Sequence, residues 1–262
     1  MIQRASLYTT LYNLEFENFY GREESSFKRR FEEYELDRIA QSDLTMVCSE
    51  RERSILLAKR PKLSSKIITV PNLINKDHYQ AYPQEEKKTI LFVGTLDYFP
   101  NIKAVEYLCR EFDSSITPAH QGNFEFVIAG RNPTQEVREM VARSNFILKE
   151  NLSFEQMKDL FAKTYLHLVP LMHGSGTRLK IVEAIFSKGL VLSTPLGREG
   201  IQSQNIIEAP IENFSDEFLR IMNHTPSFDE SESEYFQNSW DIDSWFKDNE
   251  QMLRNKLPPI KA

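Results

Sequence analysis

Short runs of β-branched and other apolar residues alternate along this chain with amphipathic stretches of helical length, and that rhythm constrains the fold more than any other feature. The clearest runs are Leu44–Cys48, Ile67–Val70, Ile90–Val93, Phe124–Ala129, Leu166–Val169 and Leu190–Ser193, with a strand-like run over Ser6–Tyr12 near the start. A βαβα order means a parallel sheet with helices on both faces. Several of the runs lack in-out alternation, as strands covered on both sides do. The fold class is α/β. Helices are predicted over Ser25–Gln41, whose apolar residues 27, 31, 34 and 39 keep near-helical spacing, and over Glu50–Lys59, closed by Pro61. Pro100–Phe112 opens with proline in its first turn, a favoured place. Phe154–Ala162, Thr177–Lys188 and Asn213–Met222 follow, and the tail Asp229–Leu253 reads as helical, with Trp240, Trp245 and Phe246 as anchors for docking.

The best boundary is the polar stretch Asn75–Lys88, NKDHYQAYPQEEKK. It implies a first block over 1–75, a linker over 76–88, a complete Rossmann-like domain over 89–225, and helices over 226–262 that pack back on the first block. A doubly wound domain typically needs ~100–150 residues, so the first block is expected to be a partial one, with material missing upstream of its first strand.

Several classes are excluded. A net charge of -6 argues against non-specific nucleic-acid binding, which needs a basic face. Cys48 and Cys109 cannot form a disulfide framework, and each sits in an apolar setting as a buried free thiol would. No apolar run approaches the ~20 residues needed to span a bilayer, and the N-terminus has no signal-peptide pattern. The expectation is a cytoplasmic protein, with a peripheral position at the inner membrane face as the alternative. Histidines at 78, 120, 167, 173 and 224 form no spaced ligand cluster with the cysteines, so no metal is expected.

The stretch that carries chemistry is Leu168–Ile201, LVPLMHGSGTRLKIVEAIFSKGLVLSTPLGREGI. A strand runs into the loop HGSG, a helix opens at Thr177 and stops at Lys188-Gly189, and a new strand follows. A glycine-containing loop feeding a helix N-terminus favours phosphate through its free N–H groups and the helix dipole. Arg178 and Lys180 put two cations in that first turn, against the usual preference for the other end. Local rules break in this way at functional sites. Glu183 shares a face with Lys180, one turn on, in a helix that Leu179, Ile181, Val182, Ala184, Ile185 and Phe186 make apolar almost all round. The ordinary alternative is a surface pair worth a few tenths of a kcal/mol. A carboxylate there can grip a ribose cis-diol while the helix start holds a diphosphate, roughly 9 Å away at 1.5 Å per residue.

PLMHGSGTRLKIVEAIFSKGLVLSTPLGREGI resembles the signature of the family-4 retaining glycosyltransferases (glycosyl transferases group 1), which assemble bacterial surface polysaccharides. ILFVGTLDYFPNIKAVEYL is similar to the opening of their donor domain, and FVIAGRNP to the strand and turn that follow. LYNLEFENFYG, RRFEEYELDRIAQSDLTMVCSERE and ITVPNLIN resemble the second half of the N-terminal, acceptor-side domain and the inter-domain linker. The resemblance implies a GT-B fold, two Rossmann-like domains with the nucleotide sugar held mainly by the C-terminal one. It implies hexosyl-type transfer, with retention and without a metal, from a nucleotide sugar to a carbohydrate or polyprenol-linked acceptor. No cofactor is implied, because the nucleotide sugar is the substrate. The implied diphosphate site is Gly174, Ser175, Gly176, Thr177, Arg178 and Lys180, with Glu183 on the ribose and Gly94, Thr95, Gly130, Arg131 and His173 around the donor pocket.

The pattern is not complete. The family pairs two glutamates eight positions apart, and the first would fall at Ser175. Thr95, Leu96 and Asp97 stand where an arginine and a lysine are usual, Glu150 where a glycine is common near the base, and Tyr12 where histidine is frequent. No side-chain nucleophile is evident. With the upstream half-domain missing, transfer by this chain alone is expected to fall at least ~100-fold below a full-length relative, since positioning accounts for much of such a barrier. A partner chain, or self-association, would complete the N-terminal domain. Two alternatives remain open: an inactive nucleotide-sugar-binding fragment or subunit, and, more weakly, a sugar-nucleotide epimerase.

Overall fold

The computed structural model describes residues 7–11, 14, 26–174 and 178–257. The chain divides into two compact units, one comprising residues up to Leu73 with the tail from Asp243, the other Ile74–Gly174 with Arg178–Ile242.

In the smaller unit the apolar runs become β1 (Tyr8–Leu11), β2 (Leu44–Val47) and β3 (Ile67–Thr69), parallel and in that order, with Thr10 opposite Met46 and Thr45 opposite Ile67. Helices α1 (Ser26–Gln41) and α2 (Glu50–Lys59) supply Leu36, Ile39 and Leu56 to a core shared with Leu14, Val47, Leu63 and Ile67. Ser49 caps α2 by accepting from the Glu52 amide, which satisfies one of the donors that a helix start leaves over. Helix α10 (Ile242–Lys256) belongs to this unit from Asp243 onward; its Trp245 is buried, and Lys256 Nζ reaches the Ser65 carbonyl at 2.9 Å.

The larger unit holds a six-stranded parallel sheet of β4 (Thr89–Thr95), β5 (Glu125–Arg131), β6 (Ile147–Glu150), β7 (Thr164–Val169), β8 (Leu190–Ser193) and β9 (Ile206–Glu208). Its spatial order is β6-β5-β4-β7-β8-β9, the doubly wound order of Rossmann sheets. Helices α3 (Phe99–Arg110), α4 (Pro118–Asn123), α5 (Gln135–Ala142), α6 (Phe154–Ala162), α7 (Leu179–Phe186), α8 (Phe214–His224) and α9 (Glu230–Trp240) connect and cover the strands. All six residues of β7 are buried, as befits a central strand with helices on both faces. The main core gathers Phe92, Phe112, Phe126, Ile128, Leu166, Ile185, Leu192 and Phe218.

Three expectations change. Helix α7 runs from Leu179 to Phe186 instead of Thr177 to Lys188, because Arg178 has ψ 72° and Lys188 has φ 53°, both outside the helical region. The stretch 76–88 packs into the larger unit through Tyr79 and Lys87, whose polar ends bond residues of α7 and its C-terminal turn. The tail divides: α9 stays with the larger unit, where Phe236 packs on Phe186 and Trp240, and α10 goes with the smaller one.

Candidate functional site

Strand order reverses between β4 and β7, since the chain steps outward from β4 to β6 and then returns to the other side of β4. Open α/β sheets bind ligands in the crevice beyond the strand C-termini at such a switch point. At that end of the sheet lie the loop from β4 into α3 and the residues Pro170–Gly174 that follow β7.

Asn101, in the first turn of α3, ties these segments together. Its Nδ2 donates to the Thr95 carbonyl at 3.0 Å, and its amide lies against Gly94, where an added β-carbon would come within 2.6 Å of the Asn101 Cγ. Its Oδ1 accepts from Lys180 Nζ at 3.1 Å. The same ammonium sits 4.7 Å from the centre of the Phe92 ring, within cation–π range. Gly174 adopts φ 113°, which favours glycine, and a β-carbon there would lie 3.3 Å from Arg178 Nη2. The Arg178 guanidinium is therefore folded close to Gly174, and Arg178 is buried. The His173 ring lies 5.4 Å from that of Phe99.

One turn into α7, Glu183 is partly buried, and its Oε1 accepts a hydrogen bond from the Tyr79 hydroxyl at 2.8 Å. Burial pulls the Lys180 ammonium down to about 7, with the Arg178 charge adding to the fall and Glu183 opposing it. Burial pushes the Glu183 carboxyl up, against the Tyr79 hydrogen bond and the Lys180 charge. The arrangement is thus two basic side chains and a carboxyl at the mouth of one helix, with the proton affinities of Lys180 and Glu183 shifted chiefly by desolvation.

The far end of α7 is closed firmly. Lys188 N–H donates to the Ile185 carbonyl and Gly189 N–H to the Ala184 carbonyl, the Schellman pattern, with Lys188 in the left-handed position usually taken by glycine. Buried Lys87 donates to the Ser187 carbonyl at 2.8 Å and the Lys188 carbonyl at 2.5 Å, placing a cation at the negative end of the helix. Burial, with help from Lys188, lowers the Lys87 ammonium to about 8, and Glu230 opposes the fall. Gly189 is needed for space: a β-carbon there would lie 2.7 Å from the His167 ring.

Gly94 pairs with Gly130 and Thr95 with Arg131 at the C-terminal ends of β4 and β5. A β-carbon on Gly130 would overlap the Gly94 carbonyl at 1.8 Å, so strand packing alone requires that glycine. Thr95 and Arg131 are exposed. Ser175, Gly176 and Thr177 lie outside the described residues, as does Tyr12. The Glu150 carboxylate, at the end of β6, is taken by Arg138 of α5 at 2.7 and 3.2 Å. Asn101 and Tyr79 join the site without having been singled out in the sequence. A proline-opened helix just past Gly94-Thr95 pointed weakly at Asn101; nothing local pointed at Tyr79. Burial raises both thiols, Cys48 and Cys109, to about 11, so neither is a thiolate near neutral pH. Among the described residues no group of three or more His, Cys, Asp or Glu could hold a metal ion, and no helix is long and apolar enough to cross a membrane.

Residues 87–224, over half of the chain, match the family Glycosyl transferases group 1. The chain belongs to that family. No curated protein matches its sequence closely enough to count as a relative. Solved structures of similar shape include TarM, at TM-score 0.72 and 16% identity over 95% of this chain and 50% of TarM. HepE from Anabaena follows at TM-score 0.71 and 10% identity, covering 95% of this chain and 71% of HepE. Sucrose-phosphate synthase from Thermosynechococcus elongatus gives 0.70 and 14%, covering 95% and 67%. At these identities the likeness shows the fold, that of the GT-B glycosyltransferases. The chain spans half the length of TarM.

Proposed function

We propose that this group 1 chain binds a nucleotide sugar at the switch-point crevice and transfers its sugar to a carbohydrate or lipid-linked acceptor in surface-polysaccharide synthesis. The observation that carries the reading is the convergence of Arg178, Lys180 and Glu183 on the first turns of α7, tied to the end of β4 through Asn101. The diphosphate meets Arg178, Lys180 and the Gly174–Thr177 loop, and the ribose meets Glu183. Gly94, Thr95, Gly130, Arg131 and His173 line the approach of the sugar and base. The acceptor hydroxyl oxygen forms the new bond to the anomeric carbon, the bond from that carbon to the diphosphate oxygen breaks, and the hydroxyl proton passes to a departing phosphate oxygen or to solvent. The negative charge that grows on the leaving group is the one Arg178 and Lys180 are placed to stabilise. Retention of configuration, independence of metal and membership of family 4 belong to the same proposal, supported by the GSGTRLK loop and helix. HepE has been solved with UDP and glucose, and WaaG is a glycosyltransferase of lipopolysaccharide biosynthesis, which favours a uridine donor and a surface glycan.

Calorimetry with UDP, GDP and ADP tests the donor site apart from transfer. At least one is expected to bind, and Glu183→Ala is expected to weaken it by about tenfold, the value of one hydrogen bond to a charged group. A folded protein that binds none of the three would overturn the reading.

A further inference from the structure

We infer that Tyr79 is a positioning residue for nucleotide recognition: its hydroxyl holds one oxygen of Glu183 so that the other faces the ribose diol. The inference rests on the donor-site reading above and adds a residue from outside the α7 segment.

The geometry has three parts. Tyr79 donates to Glu183 Oε1 at 2.8 Å, a charge-assisted bond with one partner 104 positions away in sequence. The tyrosine ring is held edge-on against Phe186 of the same helix, with centroids 5.9 Å apart at 75°. Its backbone is held from the other side. Asn75 Oδ1 accepts from the Asp77 amide, Tyr79 N–H closes a turn on the Lys76 carbonyl at 3.0 Å, and the Lys76 amide donates to buried Asp241 Oδ1 at 3.1 Å. Ile74 also exchanges backbone hydrogen bonds with Trp240 and Ile242 on either side of Asp241. Tyr79 is thus fixed at ring and backbone before any ligand arrives.

Glu183 needs such a partner. Ile181, Val182, Ala184, Ile185 and Phe186 around it are buried, and an apolar setting favours the protonated carboxyl. A protonated or freely rotating carboxyl is a poor acceptor for two neighbouring hydroxyls. A donor on Oε1 favours the carboxylate and restricts its rotation. It uses only one of roughly four acceptor directions, so Oε2 stays available to a cis-diol.

The test compares binding of UDP, GDP or ADP, whichever binds, with its 2′,3′-dideoxy counterpart. The wild type is expected to prefer the ribo form by about tenfold or more, and Glu183→Gln to lose most of that preference. Tyr79→Phe is expected to cut the preference about three- to tenfold while leaving dideoxy binding and the melting temperature nearly unchanged. It should also raise the pH below which ribonucleotide affinity falls, since the carboxylate loses a donor. Adding Tyr79→Phe to Glu183→Gln should cost nothing further. Phe186→Leu, which thins the ring contacts to Tyr79 and Phe236 but leaves the Tyr79 hydroxyl and its backbone ties in place, should keep most of the ribo preference, and purely structural damage at Tyr79 would not separate ribo from dideoxy ligand. An undiminished or enlarged ribo preference in Tyr79→Phe, with Glu183→Gln still losing it, would overturn the inference and leave the donor site standing. No ribo preference in the wild type, or its survival in Glu183→Gln, would remove Glu183 from the ribose and both proposals with it.

Discussion

Raising the pH from 6 to 8.5 should weaken nucleotide-sugar binding, and Lys180 should be the cause. In the free protein its ammonium is brought down to about 7 by burial and by Arg178. A diphosphate bound at the proposed donor site would place negative charge beside it and restore a high proton affinity. Binding therefore draws in a proton whenever Lys180 starts out neutral, and affinity is lost as pH rises through the free-state value. Each unit above 7 costs about tenfold until the bound-state value is reached, so the fall between pH 6 and 8.5 should be about 30-fold. A nucleotide sugar is the right probe, because a doubly esterified diphosphate has no proton of its own to lose in this range. Titration calorimetry in two buffers of different ionisation enthalpy at pH 8 should register uptake of close to one proton. Lys180→Met should bind weakly at every pH, with no uptake. A flat affinity profile in the wild type, or the same slope in Lys180→Met, would refute the coupling.

Two predictions concern the support beneath α7. Gly189→Ala puts a β-carbon 2.7 Å from the His167 ring and 3.3 Å from the Thr164 carbonyl; denaturant unfolding should show a loss of about 1–3 kcal/mol, the usual cost of overpacking. His167 is fully enclosed, and burial, helped by the Lys87 charge, pulls its imidazole down to about 3. The unfolded chain takes up that proton near pH 6.5 while the folded one does not, so stability should fall by about 1.4 kcal/mol per pH unit below 6.5. His167→Gln should flatten that limb of the stability profile, and an unchanged slope would count against the assignment.

Where periodicity and capping chemistry agreed, elements could be read directly. Helices α2 and α6 and strand β8 fall on the expected residues, and Ser153 with Gln156 forms a capping box at the start of α6. The strands that escaped lie at the sheet's edges: β6, with Ile147 and Glu150 exposed, and the three-residue β9. An edge strand carries half an apolar signal, and Lys149 and Glu150 hide β6 further. Helix α5 had a usable start in Thr134, which caps it through the Val137 amide, but its one buried face of Val137, Met140 and Val141 is short. At the site, Arg178, Lys180 and Glu183 stood out because they break the pattern of an apolar helix. Asn101 and Tyr79 reach them across 79 and 104 positions, and no local rule connects residues that far apart. The same limit explains the supposed linker: Tyr79 and Lys87 look like ordinary polar residues until the partners they reach on α7 and its C-terminal turn are known.

A cation kept in an apolar helix for the sake of a ligand should cost the free protein stability, and Lys180 allows that to be measured. Its proton affinity is lower in the folded state than in the unfolded one, so between about 7 and the ordinary lysine value the folded chain binds fewer protons. Folding at neutral pH must discharge or desolvate the group. The hydrogen bond to Asn101 and the Phe92 ring return part of that cost, and the stem is only partly buried. Lys180→Met keeps the length of the side chain and removes the charge, so it should stabilise the protein at pH 7 by roughly 3–5 kcal/mol, the fall in pKa from 10.5 to about 7 at about 1.4 kcal/mol per unit. The sign of the pH dependence separates this from better packing. Wild-type stability should rise through this window, and the advantage of Lys180→Met should shrink toward zero near pH 10. A gain that stays constant with pH would come from shape alone. No gain at all, with nucleotide binding lost, would mean that Asn101 and Phe92 already compensate the buried ammonium in full and that the free site carries no strain to release.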